Sequence, residues 1–127
     1  TLPKEIRDHL QRVADIGCVV TGSNLVTIHH VHGGSVIEEF GYGLSPGMSQ
    51  KQNDWLVIPL HPQYHVGDKG IDSGMGQYKG VAQWEAAIGK QTDYLRRVRD
   101  IIKGRYGYDI FERAGLSAGT AGNPAAA

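Results

Sequence analysis

The distribution of glycine constrains the fold of this chain more than any other sequence feature. Of the 127 residues, 18 are glycine, and many of these fall within 33–47, within 67–80 and after residue 115. Glycine loses the most conformational freedom on folding, so glycine-rich stretches weaken helices and strands. We therefore expect short regular elements separated by long irregular loops, around one core of moderate size.

Five segments carry the periodicity of regular structure. Apolar spacing and β-branched runs predict an amphipathic helix over 3–16, strands over 25–31 and 55–60, a short helix over 61–65 and a long helix over 81–103. Gly89 is a point at which the long helix can kink or split. Most of the chain between the two strands is expected to be irregular. This order of elements predicts a mixed α+β fold.

The distribution of bulky side chains suggests the domain organisation. Residues 1–113 are predicted to form a single domain, with Trp84 in its core. Cys18 is expected to be a small buried residue, and His9 is expected on the surface of the first helix. The segment 114–127 has few side chains able to bury apolar surface, so it is predicted to be a flexible tail.

Charge and cysteine content exclude several classes of function. Thirteen basic and thirteen acidic side chains cancel, so binding to nucleic acid requires a local basic face. The single cysteine rules out an intrachain disulfide and favours a reducing compartment. No apolar run approaches the roughly 20 residues that span a bilayer, and no signal-peptide pattern is present. A cytoplasmic protein without membrane contact is therefore expected.

The stretch RRVRDIIKGR (96–105) is the most basic part of this neutral chain. On a helix, Arg96, Arg99 and Lys103 share one face, and Arg97 flanks it. These four residues are candidates for binding DNA phosphates, and a solvated helix face is the equally weighted alternative.

Histidine is concentrated next to the two predicted strands. His29 and His30 end the first strand, whereas His61 and His65 follow the second and lie one helical turn apart. Imidazole is the commonest ligand in transition-metal sites and the usual general base near neutral pH. His29 and His30 would point to opposite faces of a regular strand, but the glycine pair at 33–34 allows the strand to end or twist there.

Each of these histidines also has a structural interpretation. His29 and His30 can form a polar strand end with hydrogen-bonded imidazoles, and His61 can cap the short helix. His32 is expected to be a loop residue or a phosphate contact rather than a metal ligand.

Four fragments in order resemble the HNH (ββα-metal) nuclease superfamily and, within it, the phage Ref-like recombination enhancement nucleases. The fragments are GCVVTG (17–22), IHHV (28–31), IPLHPQYH (58–65) and GMGQYKGVAQWEAAIG (74–89). The resemblance covers most of the expected folded part. It implies a small ββα-metal core with a long wide loop, flanked by an N-terminal helix and a long C-terminal helix.

The resemblance also implies a role for each matching residue. His29 and His65 become ligands of one divalent metal ion, and His30 becomes the general base. His61 is either a third ligand or a replacement structural ligand. Asn53 is the only candidate for the family asparagine that orients the base, although it lies earlier than the family pattern places it, and Asp54 is the substitute. The ion stays open among magnesium, manganese and zinc.

The chain departs from the family pattern in two respects. Cys18 alone remains of the structural zinc cysteines, so that zinc site is absent or reworked. Lys69, one turn after the last ligand histidine, cannot bind a metal, whereas Asp68 or Asp72 can supply oxygen to a hard ion.

The expected function is hydrolysis of phosphodiester bonds in DNA by a metal-dependent, phage-encoded endonuclease in the host cytoplasm. The resemblance also implies a link to DNA recombination or processing, with recombinase-coated DNA as a partner. Two alternatives use the same scaffold, namely a nucleic-acid-binding module that does not cleave and a zinc-stabilised interaction domain. The sequence leaves open the strandedness of the DNA, any sequence preference and the oligomeric state.

Overall fold

The computed structural model describes residues 2–41 and 53–116, which form a mixed α+β arrangement. In these ranges the elements follow in the order α1 (Lys4–Ala14), β1 (Thr27–His30), α2 (Gly34–Phe40), β2 (Val57–Leu60), α3 (Pro62–His65), α4 (Val81–Ala87), α5 (Gln91–Tyr106) and α6 (Ile110–Arg113). The predicted α+β class is confirmed at this level. The first helix and both strands are present, and each is shorter than its sequence pattern.

The two strands form an antiparallel pair. Thr27 of β1 faces Leu60 of β2, and His30 faces Val57. All four residues of β2 are buried, whereas β1 buries only His29. A pair of this size is marginal in water, so its stability depends on the helices packed against it.

Helices α1 and α5 pack against β2 and close the hydrophobic core. On α5 the buried apolar residues recur at three- and four-residue spacing, which places them in one stripe. Trp84 of α4 is completely buried, as predicted. The fully buried apolar side chains include Val13, Val36, Val57, Ile58, Leu60, Trp84, Leu95, Val98, Ile102 and Ile110.

The structure divides the segment 81–103 into α4 and α5, which is the split that the sequence allows at Gly89. The first helix ends at Ala87 and the second begins at Gln91. Between them, Gly89 lies against Tyr94, where a Cβ atom would come within 2.6 Å of the tyrosine hydroxyl oxygen. The break starts a new helix at Gln91, whose side chain is completely buried.

One helix, α2, forms within the first glycine-rich segment, which is expected to be mostly irregular and which lies outside the described residues from position 42 to 52. The chain enters this helix through two glycines with positive φ, 68° at Gly33 and 45° at Gly34. A Cβ atom at Gly34 would overlap the Glu85 carboxylate and Val81, so only glycine lets the chain approach α4 this closely. Such a short helix depends on tertiary packing, which a local pattern does not capture.

His9 is buried, which corrects the prediction of a surface position. It lies four residues before Val13 and so shares the inner face of α1. Its Nδ1 lies 2.7 Å from the Tyr108 hydroxyl, and its Nε2 lies 3.3 Å from the Trp55 carbonyl oxygen. Burial lowers the pKa of His9 to about 4, so the ring is neutral near pH 7.

Two further predictions concern Cys18 and the C-terminal segment. Cys18 is buried, as expected. The predicted flexible tail falls mostly outside the described residues, which end at Leu116. Of the helices in the described ranges, none combines the length and the apolarity that crossing a membrane requires.

Candidate metal centre

The carboxylate of Asp72 is surrounded by three imidazole rings. Its Oδ1 lies 2.7 Å from His32 Nε2, and its Oδ2 lies 3.1 Å from His29 Nδ1 and 3.0 Å from His65 Nε2. The ring centroid of His29 is 5.4 Å from that of His32 and 5.0 Å from that of His65. Side chains from a strand, a loop and a helix therefore converge on one carboxylate.

Local backbone geometry directs these side chains to one point. His29 is the buried position of β1, because successive residues of a strand face opposite sides. His65 ends α3, and the loop after it folds back so that the Asp72 N–H donates to the His65 carbonyl oxygen at 2.8 Å. Gly70 permits this return, since a Cβ atom there would lie 2.5 Å from the same oxygen.

Hydrogen bonding favours an ionised carboxylate at the centre of this cluster. Burial by itself raises the pKa of Asp72, but hydrogen bonds with three histidines outweigh it and hold the pKa well below its usual range. The pKa of His32 is raised, chiefly by its hydrogen bond with Asp72. His29 is completely buried, whereas 28% of the Asp72 side chain is exposed. The negative charge is therefore open to solvent on one side.

These residues fit a metal ion. His29, His32 and Asp72 each offer one ligand atom, and the three atoms lie within 4.8 Å of one another. Imidazole nitrogen and carboxylate oxygen suit zinc, manganese and nickel, and together with water they also suit magnesium. The described structure thus contains a His29–His32–Asp72 group that can hold one metal ion. His65 lies beside this group, at the shared Asp72 oxygen.

The three predicted ligands have different positions relative to this group. His29 belongs to it, and His65 contacts its aspartate. His61 instead precedes the first residue of α3, where its Nδ1 accepts the Gln63 N–H at 3.1 Å. This contact corresponds to the helix-capping alternative for His61.

The structure places His32 and Asp72 in the group with His29, whereas the ligands predicted beside His29 are His61 and His65. The sequence analysis expects His32 to be a loop residue or a phosphate contact, yet its ring joins the group because the strand ends at His30. The sequence feature that points to His32 is its position three residues after His29, just beyond the end of the strand. Asp72 carries a weaker signal, since it is one of two acidic residues considered in the loop after α3.

His30 belongs to a different contact. Its Nε2 lies 2.8 Å from Asp54 Oδ1, and 23% of the His30 side chain is exposed. The amide of Asn53 is engaged elsewhere, since it donates to the Ala114 carbonyl oxygen and its Oδ1 accepts the Trp55 N–H. Of the two candidates for orienting the base, Asp54 is the one that contacts His30.

A buried glutamine, Gln91, connects two of the clustered histidines. Its Oε1 lies 2.9 Å from His29 Nε2 and accepts the His32 backbone N–H at 3.1 Å. Its Nε2 donates to the His32 carbonyl oxygen at 2.7 Å and to the Glu85 carboxylate at 3.3 Å. No sequence pattern marks Gln91, because a polar residue at the start of a helix is usually exposed.

The four basic residues predicted to bind DNA lie on α5 in different environments. Arg96 is held by two carboxylates, at 2.8 and 3.5 Å, and Arg97 donates to a backbone carbonyl oxygen at 3.2 Å. The guanidinium of Arg99 lies 4.9 Å from the centre of the Phe111 ring, and Lys103 is exposed. Contact of this helix face with DNA stays a prediction. Of the four basic residues, Arg97 and Lys103 are exposed.

Comparisons with protein-family models, with curated proteins and with solved structures returned no match for this chain. The resemblance to HNH nucleases therefore stays a hypothesis carried by four sequence fragments. Function has to follow from the groups that the fold brings together, because one fold can host many activities.

Proposed function

We propose that this protein is a divalent-metal-dependent endonuclease of the HNH type, which hydrolyses phosphodiester bonds in DNA. The observation that supports this best is the meeting of His29, from β1, and His65, from α3, at one oxygen of Asp72. The paired strands β1 and β2 followed by α3, with α2 inserted between the strands, are consistent with the ββα-metal core that the resemblance implies.

The ligands in this proposal are His29, His32 and Asp72, with His65 beside them. When bound, a divalent ion polarises the phosphodiester and stabilises the oxygen that leaves. Complete burial holds the His29 ring in place, because its neighbours leave it little room to rotate. The exposed side of Asp72 gives a phosphate group access to the site.

His30 is the proposed general base. Asp54 accepts its Nε2–H at 2.8 Å, so Nδ1 has the lone pair that takes a proton from water. The water oxygen forms a bond to phosphorus, and the bond between phosphorus and the leaving ester oxygen breaks. With 23% of its side chain exposed, His30 is accessible to water while Asp54 holds its ring.

Basic residues of α5 are proposed to hold the DNA, because a chain without net charge has no overall field that attracts it. Arg97 and Lys103 are exposed, and Arg96 and Arg99 are partly buried. The resemblance extends the proposal to DNA recombination or processing in the host cytoplasm, on recombinase-coated DNA.

Nicking of supercoiled plasmid tests the proposal, with magnesium, manganese or zinc supplied in turn. We expect the wild type to nick with at least one ion and His30→Ala to be slower by about 10²–10⁴-fold, the usual contribution of a general base. His61→Ala is the matched control and should keep most of the activity, since His61 contacts the α3 backbone.

Two outcomes would contradict the proposal. Equal cleavage by wild type and His30→Ala, in matched pure preparations, would exclude His30 as the base. Absence of cleavage with every ion would exclude the nuclease.

Complete burial of His29 also favours a second candidate, a zinc-stabilised interaction domain. A structural ion contributes directly to the free energy of folding, because the unfolded chain lacks the site. A chelator would then lower the melting temperature sharply, while plasmid would be neither bound nor cut. Salt-sensitive DNA binding without products would instead identify a non-cleaving module.

A further inference from the structure

We propose that Gln91 holds a proton on Nε2 of His29, so that Nδ1 is the nitrogen of this ring that faces Asp72 and binds a cation. Gln91 is a positioning residue, because it acts through His29. The inference rests on the metal site of the proposed function, and it does not require that the protein cleave DNA.

The hydrogen-bond partners of Gln91 determine which positions its amide oxygen and amide nitrogen occupy. Its Nε2 lies 2.7 Å from the His32 carbonyl oxygen and 3.3 Å from the Glu85 carboxylate, and both of these groups only accept hydrogen bonds. Its Oε1 lies 3.1 Å from the His32 backbone nitrogen, which only donates. A flipped amide would place donor against donor and acceptor against acceptor.

This orientation determines where His29 carries its proton. Because Gln91 Oε1 accepts hydrogen bonds, the His29 Nε2 at 2.9 Å must donate to it. A neutral imidazole protonated on Nε2 has its lone pair on Nδ1, which lies 3.1 Å from Asp72 Oδ2. A lone pair and a carboxylate oxygen repel each other at this distance unless a proton or a metal ion lies between them, and a proton there forms the hydrogen bond that favours the ionised Asp72. The pair is therefore arranged for a cation.

His65 has the same arrangement through a different partner. The Thr27 hydroxyl donates to the Leu60 carbonyl oxygen at 3.2 Å, which leaves its oxygen able to accept from His65 Nδ1 at 2.8 Å. The other ring nitrogen of His65, Nε2, lies 3.0 Å from the same oxygen of Asp72. Each of the two rings is thus held through one nitrogen and directs the other to the same carboxylate oxygen.

Groups from α2 and α4 hold Gln91 in this position. Its backbone N–H donates to Glu85 at 2.8 Å, and the same carboxylate accepts the Ser35 N–H at 2.8 Å. The Ser35 hydroxyl donates to it as well. Gln91 is completely buried, so solvent competes little for these bonds. Outer partners of this kind orient metal-binding histidines and raise metal affinity.

The tautomer of His29 can be measured in the wild-type protein without any metal. Long-range proton–nitrogen correlation spectra distinguish a protonated ring nitrogen from one with a lone pair, and His29→Gln identifies the His29 signals. When the His29 ring carries one proton, we expect that proton on Nε2, because Gln91 Oε1 accepts it at 2.9 Å. A single proton on Nδ1 would overturn the proposal.

Gln91→Leu removes the amide and keeps a large buried side chain. Titration calorimetry with zinc alone should show a Kd weakened by about 10–100-fold, as is usual when the partner of a metal-binding histidine is lost. Thr92→Val is the matched control and should bind as the wild type does, because Thr92 is equally buried and contacts Ser35 through its backbone N–H. Unchanged zinc affinity in Gln91→Leu would overturn the proposal.

The outcomes for Gln91 and for the nuclease are distinguishable. The wild-type spectrum tests the tautomer even if Gln91→Leu does not fold. If the protein shows the predicted tautomer and the predicted loss of zinc affinity but does not cut plasmid, the role of Gln91 is supported and the nuclease is excluded. If the protein cuts plasmid but His29 carries its single proton on Nδ1, the proposed function is supported and the role of Gln91 is excluded. Wild-type protein that binds no divalent ion would overturn both.

Discussion

The rings of His29 and His65 lie 5.0 Å apart at an interplanar angle of 70°, and both meet the same oxygen of Asp72. One ring comes from the buried position of β1 and the other from the end of α3. The contact therefore depends on the antiparallel pairing of the strands and on the loop that returns Asp72 to α3. Substitutions in each of these segments are expected to act at the site.

Asp72→Asn retains the size of the side chain and removes its charge. We expect the affinity for zinc to fall by at least about 10–100-fold, because the carboxylate supplies the oxygen ligand and contacts three imidazoles. Asp68→Asn removes an equal charge from an exposed position in the same loop and should bind zinc normally. Equal losses in the two variants, measured by titration calorimetry, would attribute the effect to net charge instead.

Asp54→Asn tests which side chain orients His30. Because Asp54 contacts His30 Nε2 at 2.8 Å, its loss should slow plasmid nicking by up to about 10²–10⁴-fold, the full contribution of a general base. Asn53→Ala should leave the rate near the wild-type value and lower the free energy of unfolding by about 1–3 kcal/mol, since it breaks two hydrogen bonds to the backbone. The reverse pattern, from nicking and urea denaturation, would assign the role to Asn53.

His9 makes stability depend on pH. Its pKa in the folded protein is about 4, and the unfolded value is about 6.5, so the folded state binds fewer protons between these values. The stability from neutral His9 is complete above the unfolded pKa and is lost as the pH falls toward 4. The full loss is about 3 kcal/mol. Urea denaturation at about pH 7 and about pH 5 should show a smaller fall for His9→Gln than for the wild type. Equal falls would contradict the assignment to His9.

Gly34→Ala should destabilise the protein more than Gly22→Ala does. Both glycines have positive φ, 45° and 79°, but a Cβ atom at Gly34 would overlap Glu85 and Val81, whereas Gly22 is surrounded by open space. We expect Gly34→Ala to lower the free energy of unfolding by about 1–3 kcal/mol beyond the backbone cost that both variants share. Urea denaturation measures the difference, and equal destabilisation would show that the Glu85 carboxylate moves aside without cost.

Local patterns predict the elements that need only local information. The apolar spacing of α1, the β-branched and apolar runs of the strands and the core position of Trp84 follow from period and composition. Local patterns are insufficient where packing against a distant segment determines the secondary structure. Gly89 allows a break in the helix, and packing against Tyr94 accompanies that break, whereas α2 forms where the chain packs against α4.

The sequence by itself determined the α+β class, the strand that carries His29 and the short helix that carries His65. Tertiary structure alone decided that Asp72 lies between these histidines, that His32 joins them and that Gln91 supports them. His29 and Gln91 are 62 positions apart, and a hydrogen bond between them requires their atoms to meet within about 3 Å. Local periodicity determines which face of an element is buried, but the packing of distant segments determines which polar groups on those faces meet.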